Sequence, residues 1–162
     1  MDIPSKIEIE AAKKRIAPYI HRTPIIKSHS LERLLNRPLF FKAENLQRTG
    51  SFKIRGALNK ILSLTEEEAK RGVITYSSGN HAQAVALAAS IRNISATVIM
   101  PPNAPKIKKE ATEGYGAQII LKGETSSGRR IFMEKLAFDT GAVIIPPFED
   151  PFVIGGQSTV GL

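Results

Sequence analysis

The strongest constraint on the fold is an alternation that runs from Val73 to Ile145. Val73-Ile74-Thr75-Tyr76, Ala96-Thr97-Val98-Ile99-Met100, Ala117-Gln118-Ile119-Ile120-Leu121 and Ala142-Val143-Ile144-Ile145 are short apolar runs of the kind that make buried strands. Helical spacing fills the gaps. A helix is predicted from about Asn80, with Ala82, Val85, Ala86 and Ala89 on one face. Others are predicted over 105–113 and over 126–138, the latter with Phe132, Met133 and Leu136 apolar. Pro101-Pro102 and Pro146-Pro147 end two of the strands, since proline cannot donate to a ladder. Such alternation predicts right-handed βαβ units: an α/β fold, a parallel sheet with helices on both faces.

Before this region the chain is less regular. Ser5-Lys6-Ile7-Glu8 is a capping box opening a helix with Ile9, Ala12 and Ile16 on one side, which stops before Pro18. Thr23-Pro24-Ile25-Ile26 reads as extended, because proline biases its neighbour away from helix. Leu31, Leu34 and Leu35 suggest a short helix, and Leu39-Phe40-Phe41-Lys42-Ala43 a strand. Thr65-Glu66-Glu67-Glu68 is a second capping box, with its helix ending at Gly72. At the far end, Gln157 to Leu162 reads as the first turns of another helix. No internal repeat or low-complexity linker interrupts the sequence.

A chain of 162 residues can bury a sizeable core. Its net charge of +8 is spread along the whole sequence. The densest basic cluster, Lys106, Lys108 and Lys109, has no interleaved aromatic residues and reads as the solvated face of a helix. The positive balance therefore favours phosphate and carboxylate ligands and is no argument for a nucleic-acid partner. A nucleotide-binding module is disfavoured too, for want of a Gly-x-Gly-x-x-Gly or Gly-Lys-Ser/Thr loop. Cysteine is absent, which excludes disulfides and thiolate metal sites; no metal is expected. No apolar run approaches the roughly 20 residues a bilayer demands, and Met1-Asp2-Ile3-Pro4-Ser5-Lys6 has no signal-peptide core. A cytoplasmic protein without a membrane partner is expected.

One lysine is oddly placed. In Gln47-Arg48-Thr49-Gly50-Ser51-Phe52-Lys53-Ile54-Arg55-Gly56-Ala57, Ser51 is the expected N-cap of a helix whose apolar face carries Ile54, Ala57, Leu58, Ile61 and Leu62. Lys53 then falls in the first turn, where the helix dipole disfavours an ammonium and enriches the neutral amine. A lysine that attacks a carbonyl needs that neutral form. Gly50 and Ser51 are small enough for a flat ligand to approach, with Phe52 beside it. The plainer alternative is one more solvated lysine.

Ser77-Ser78-Gly79-Asn80-His81-Ala82-Gln83 forms a second constellation, where a strand ends and a helix begins. That is the ligand edge of an open α/β sheet. Free N–H groups there suit a carboxylate or phosphate, Gly79 allows close approach, and Asn80 is a neutral donor suited to a phenolate-type oxygen. Ordinary N-capping by Ser and Asn is the plainer alternative, with His81 a helix-start histidine.

Lys42-Ala43-Glu44-Asn45-Leu46-Gln47 followed by Ser51-Phe52-Lys53-Ile54-Arg55-Gly56-Ala57 resembles the cofactor-attachment site of the serine/threonine dehydratase family. These are fold-type II pyridoxal-phosphate enzymes, tryptophan synthase β-like in fold, and include serine racemases. Ser77-Ser78-Gly79-Asn80-His81 is similar to the family's second signature. The resemblance implies pyridoxal 5′-phosphate as cofactor, Lys53 as its Schiff-base lysine, Phe52 beside it, and Asn80 on its 3′-oxygen. It implies that Ser77, Ser78, Gly79, Asn80 and His81 surround the substrate carboxylate, and Arg129 matches a position where some relatives place a substrate-facing arginine. It covers nearly all of this chain but about half of a family member; the glycine-rich phosphate loop lies further on in relatives. The implied division is 1–50 as the N-terminal part of the large domain, 51–147 as a small α/β domain, and 148–162 as the start of the return. The implied reaction is dehydration and deamination of L-threonine or L-serine to a 2-oxo acid and ammonia, by a homo-oligomer at full length. Ser78 keeps two alternatives open, serine racemase and threo-3-hydroxyaspartate ammonia-lyase, because threonine dehydratases often have alanine there. A hydroxyl at Ser78 offers an acid/base on the face of the α-carbon opposite Lys53. A further alternative is a non-catalytic fragment of such an enzyme.

Overall fold

The computed structural model describes residues 3–162; Met1 and Asp2, part of the stretch read above for a signal peptide, lie outside the described residues. Helix α1 (Lys6–Ile16) opens on the expected capping box, Ser5 with Glu8, and passes into a 3₁₀ turn that holds Pro18. Strand β1 (Ile25–Lys27), helix α2 (His29–Leu35) and strand β2 (Phe40–Lys42) follow, with β1 and β2 pairing antiparallel as a separate two-stranded ribbon. Then come α3 (Lys53–Leu62) and the short α4 (Glu66–Lys70), which starts on the Thr65–Glu68 capping box.

The predicted alternation is observed as β3 (Val73–Tyr76), α5 (Asn80–Arg92), β4 (Ala96–Met100), α6 (Lys106–Gly114), β5 (Gln118–Leu121), α7 (Ser126–Thr140) and β6 (Val143–Ile144). The strands form one parallel sheet in the order β5-β4-β3-β6. Side chains alternate across it. Val73, Val98 and Met100 pack with Ile54, Leu58 and Ile61 of α3 and with the alanine-rich face of α5. Ile74 and Ile99 point the other way, onto Met133 and Ala137 of α7. Helices therefore cover both faces, and the apolar strand runs follow from that two-sided burial. Ala82, Ala84, Ala86, Ala88 and Ala89 are all buried, so α5 fits between sheet and α3 because its side chains are small.

The sequence expectation fails at both ends of this arrangement. The last helix, α8 (Pro151–Ser158), begins six residues before the predicted Gln157, capped by the Asp150 side chain with proline in its first turn. It lies against α3 through glycine: a Cβ on Gly56 would sit 2.7 Å from the Val153 carbonyl oxygen, and one on Gly156 would sit 2.5 Å from that of Arg55. The Gly56 N–H donates to Gln157 Oε1 (3.1 Å), and Lys60 pairs with Asp150 (2.8 Å). Ser51 is not the N-cap of α3. It is extended (φ −163°, ψ 160°), the cap is Phe52 without a side-chain bond, and the buried Ser51 hydroxyl has no partner. The loop before it turns on two consecutive left-handed residues, Thr49 (φ 62°) and Gly50 (φ 66°), which displaces the expected cap geometry.

Candidate active site

Lys53 is the first residue of α3, half-buried, and its Nζ donates to the Pro147 carbonyl at 2.8 Å. Pro147 lies just beyond β6, so the amine is at the carboxyl edge of the parallel sheet, where open α/β sheets bind ligands. Burial pulls the Lys53 pKa below its ordinary value. Desolvation therefore shifts the Lys53 equilibrium toward the neutral amine, where the sequence pointed to the helix dipole as the cause. Phe52 is exposed, its ring centroid 5.4 Å from the Lys53 ammonium.

The serine loop meets the same edge. The Ser77 N–H donates to Ile99 O (3.1 Å), fixing the loop to β4, and the Ser77 hydroxyl accepts from Gly79 N–H (3.2 Å) in a local turn. Neither serine caps α5; its N-cap is Gly79, and a Cβ there would meet open space. Ser78 and Asn80 are exposed. Asn80 Oδ1 accepts from Lys108 Nζ (2.9 Å), leaving its amide N–H donors unspent.

His81 turns away from this opening. It is 3 % exposed, its Nε2 lies 3.1 Å from the Ile145 carbonyl, and its Nδ1 has no partner. Thr75 Oγ1 donates to the same carbonyl at 2.7 Å. Contact with a carbonyl makes Nε2 the protonated nitrogen and leaves Nδ1 a bare, buried acceptor. Burial lowers its pKa to about 4, and the Lys53 charge adds to that lowering. The side chain is a brace between α5 and the end of β6, beneath the loop rather than in it.

Other residues of the lysine stretch have structural partners that composition gave no sign of. Glu44 holds Arg55 in a bidentate pair (2.8 Å for both bonds) and accepts from Thr23 Oγ1 (2.6 Å). Burial alone would raise the Glu44 pKa, but bonds to Arg55 and Thr23 and the charges of Arg55 and Lys42 outweigh it, so it falls. Gln47 clamps the His21 backbone, accepting from its N–H and donating to its carbonyl, both at 2.8 Å. The stretch is therefore a scaffold as much as a site: Glu44, Gln47, Arg55 and Gly56 hold the loop that presents Lys53. Arg129 lies in the first turn of α7 and reaches back to the loop after β5, donating to the carbonyls of Gly123 and Glu124, both at 3.0 Å. No hydrogen bond joins it to the serine loop among the described residues. A concavity of about 540 Å³, bordered by Lys13, His21, Arg22, Lys42 and Arg55, includes none of the predicted site residues.

A family model described as pyridoxal-phosphate dependent enzyme matches residues 16–162. The chain belongs to this family. The catabolic L-threonine dehydratase TdcB of Staphylococcus aureus (strain USA300) is 51 % identical over 156 residues, which is 96 % of this chain and 45 % of that protein. A maize serine racemase structure superposes with a TM-score of 0.95 at 44 % identity, covering 98 % of this chain and 48 % of the other. A threonine deaminase from T.th. does so with a TM-score of 0.89 at 47 % identity, covering 98 % and 50 %. The chain spans about half the length of the relatives it matches. Its helix-flanked parallel sheet is that of the fold-type II enzymes of this family.

The residues present fit the family's cofactor. Lys53 has a depressed pKa, Asn80 keeps its amide donors free, and Gly79 faces open space where a flat ring can approach.

Proposed function

We propose that this chain carries the lysine-bearing half of a pyridoxal-phosphate dependent lyase that converts L-threonine or L-serine to the 2-oxo acid and ammonia. The observation that carries the reading is the meeting of Lys53 and the Ser77–Asn80 loop at one sheet edge, in a chain 51 % identical to a threonine dehydratase. Lys53 and Asn80, with Phe52 alongside, would hold the cofactor. When bound, pyridoxal phosphate supplies an electron-withdrawing ring that stabilises negative charge on the substrate's α-carbon. Ser77, Ser78, Gly79 and the backbone N–H groups of Asn80 and His81 receive the substrate carboxylate at the positive end of α5. The neutral Lys53 amine takes the α-proton as general base. Lys53 returns that proton to the departing β-hydroxyl, which leaves as water, and hydrolysis of the released enamine gives the oxo acid and ammonia. Asn80 has no ionisable proton, so it donates to an anionic oxygen without discharging it.

A racemase reading is favoured by one residue. Ser78 bears an exposed hydroxyl on the serine loop, and in this reading it faces the second side of the α-carbon from Lys53 and delivers a proton there. The likeness to maize serine racemase supports it. Activity on threo-3-hydroxyaspartate belongs with the same residue. Arg129 enters as the substrate-facing arginine of the resemblance. The division at residues 50 and 147, the homo-oligomer and the cytoplasmic location also remain part of the proposal, as does a small amino acid as partner in place of nucleic acid or membrane. The separate β1–β2 ribbon supports the first boundary.

The test is to incubate the chain with pyridoxal phosphate and L-threonine or L-serine, and to follow oxo acid and D-serine. Ser78→Ala also removes a hydroxyl from the carboxylate-binding loop, so oxo-acid formation should fall only in part while D-serine formation is lost. Loss of both together would remove the racemase reading. Cofactor capture on Lys53 without turnover would support the non-catalytic fragment instead.

A further inference from the structure

We propose that Lys108 is a positioning residue for Asn80, setting which end of its amide faces the cofactor. This rests on the pyridoxal-phosphate reading of the site and adds to it a residue from another helix. Of the basic cluster on α6, Lys106 pairs with Glu110 along the helix surface. Lys108 is different. It is half-buried, forms no ion pair among the described residues, and sends Nζ 2.9 Å to Asn80 Oδ1.

The direction of that bond is decided by chemistry. An ammonium has donors and no acceptor, so only the carbonyl end of the Asn80 amide can face it. The NH₂ end must then point away from α6. The proposed task of Asn80 is to donate to an anionic ring oxygen, which requires that same orientation. A free asparagine would sample both flips, and in one of them its carbonyl would repel the oxygen. Lys108 removes that flip. It also sits in the first turn of α6, where the helix dipole disfavours a lysine that merely meets solvent. Its ammonium reaches across to the first residue of α5 instead, so the two helix starts share one hydrogen bond.

The test compares Lys108→Met, which keeps the stem and removes the donors, with Lys108→Arg, which keeps a cationic donor. Cofactor affinity is measured by absorbance titration, and capture on Lys53 by borohydride trapping. Lys108→Met should weaken cofactor binding about five- to tenfold, the scale of one ordinary solvent-accessible hydrogen bond. Lys108→Arg should restore most of it, and in an Asn80→Ala background the loss should vanish. The inference is overturned if Lys108→Met binds like the parent, or if its loss persists in Asn80→Ala, which would make Lys108 a general attractor of phosphate. Nuclear magnetic resonance of the Asn80 side-chain amide, without cofactor, gives an independent readout. Lys108→Met should mobilise it, and an unchanged amide would refute the contact. If the parent chain takes no cofactor on Lys53, the pyridoxal-phosphate reading fails and the amide measurement still decides the Lys108–Asn80 bond.

Discussion

His81 should make the chain acid-sensitive well above the range where carboxylates titrate. Its imidazole is buried, with Nε2 bonded to the Ile145 carbonyl and Nδ1 facing no acceptor. Protonation would bury a charge and an unsatisfied N–H together. Its pKa falls from 6.5 to about 4 for that reason. The unfolded chain therefore binds a proton that the folded chain refuses between those values, and stability rises with pH across the window. The stabilisation is fully present above about pH 6.5 and is lost as pH falls through about 4. A shift of this size removes about 2 kcal/mol between pH 7 and pH 5, and roughly 3 kcal/mol by pH 4. Urea unfolding at pH 7 and pH 5 measures it, compared with His81→Gln, which keeps a donor for the Ile145 carbonyl and cannot titrate. The glutamine variant should lose far less stability over that interval. An identical pH slope in both proteins would show that His81 titrates normally and is no buried brace.

Two other substitutions test the scaffold around Lys53. Gly56→Ala would gain about 1 kcal/mol on an open helix, yet here its Cβ would press on the Val153 carbonyl and the Gln157 side chain. Thermal unfolding should show a net loss of about 2 kcal/mol or more, and a stabilised variant would refute the close crossing of α3 and α8. Glu44→Gln leaves Arg55 buried without its counter-charge, and should cost about 3 kcal/mol in denaturant unfolding. A cost below the usual scatter of surface changes would mean that the pair is more solvated than its geometry indicates.

The strands and helices from Val73 onward were legible because a parallel sheet buried on both faces leaves a simple record: apolar strands, helical spacing between them, and turn residues at the joins. Both capping boxes were legible because each is a local bond between residues three apart. Long-range partners were not. Nothing near Glu44 reveals that Arg55 and Thr23 converge on it, nor does Gln47 announce its hold on His21. The start of α8 did carry a signal, Asp150 before Pro151, an N-cap followed by a proline at the first helical position. Ser51 looked like a cap by type, but the left-handed pair Thr49–Gly50 orients the loop differently. Lys53 and Asn80 drew attention through residue chemistry and family resemblance together, and their role in the site is proposed on both. The partner of Asn80 on α6 lay hidden in a lysine cluster that reads as an ordinary solvated face.

The most direct measurement is chemical. The chain is mixed with pyridoxal phosphate, reduced with borohydride, digested and mapped by mass spectrometry. One adduct is expected, on Lys53, at near-stoichiometric yield and lost in Lys53→Ala, because the half-buried, pKa-lowered amine at the sheet edge outcompetes the exposed lysines. Adducts scattered over many lysines, unchanged in Lys53→Ala, would contradict a cofactor site built at this edge.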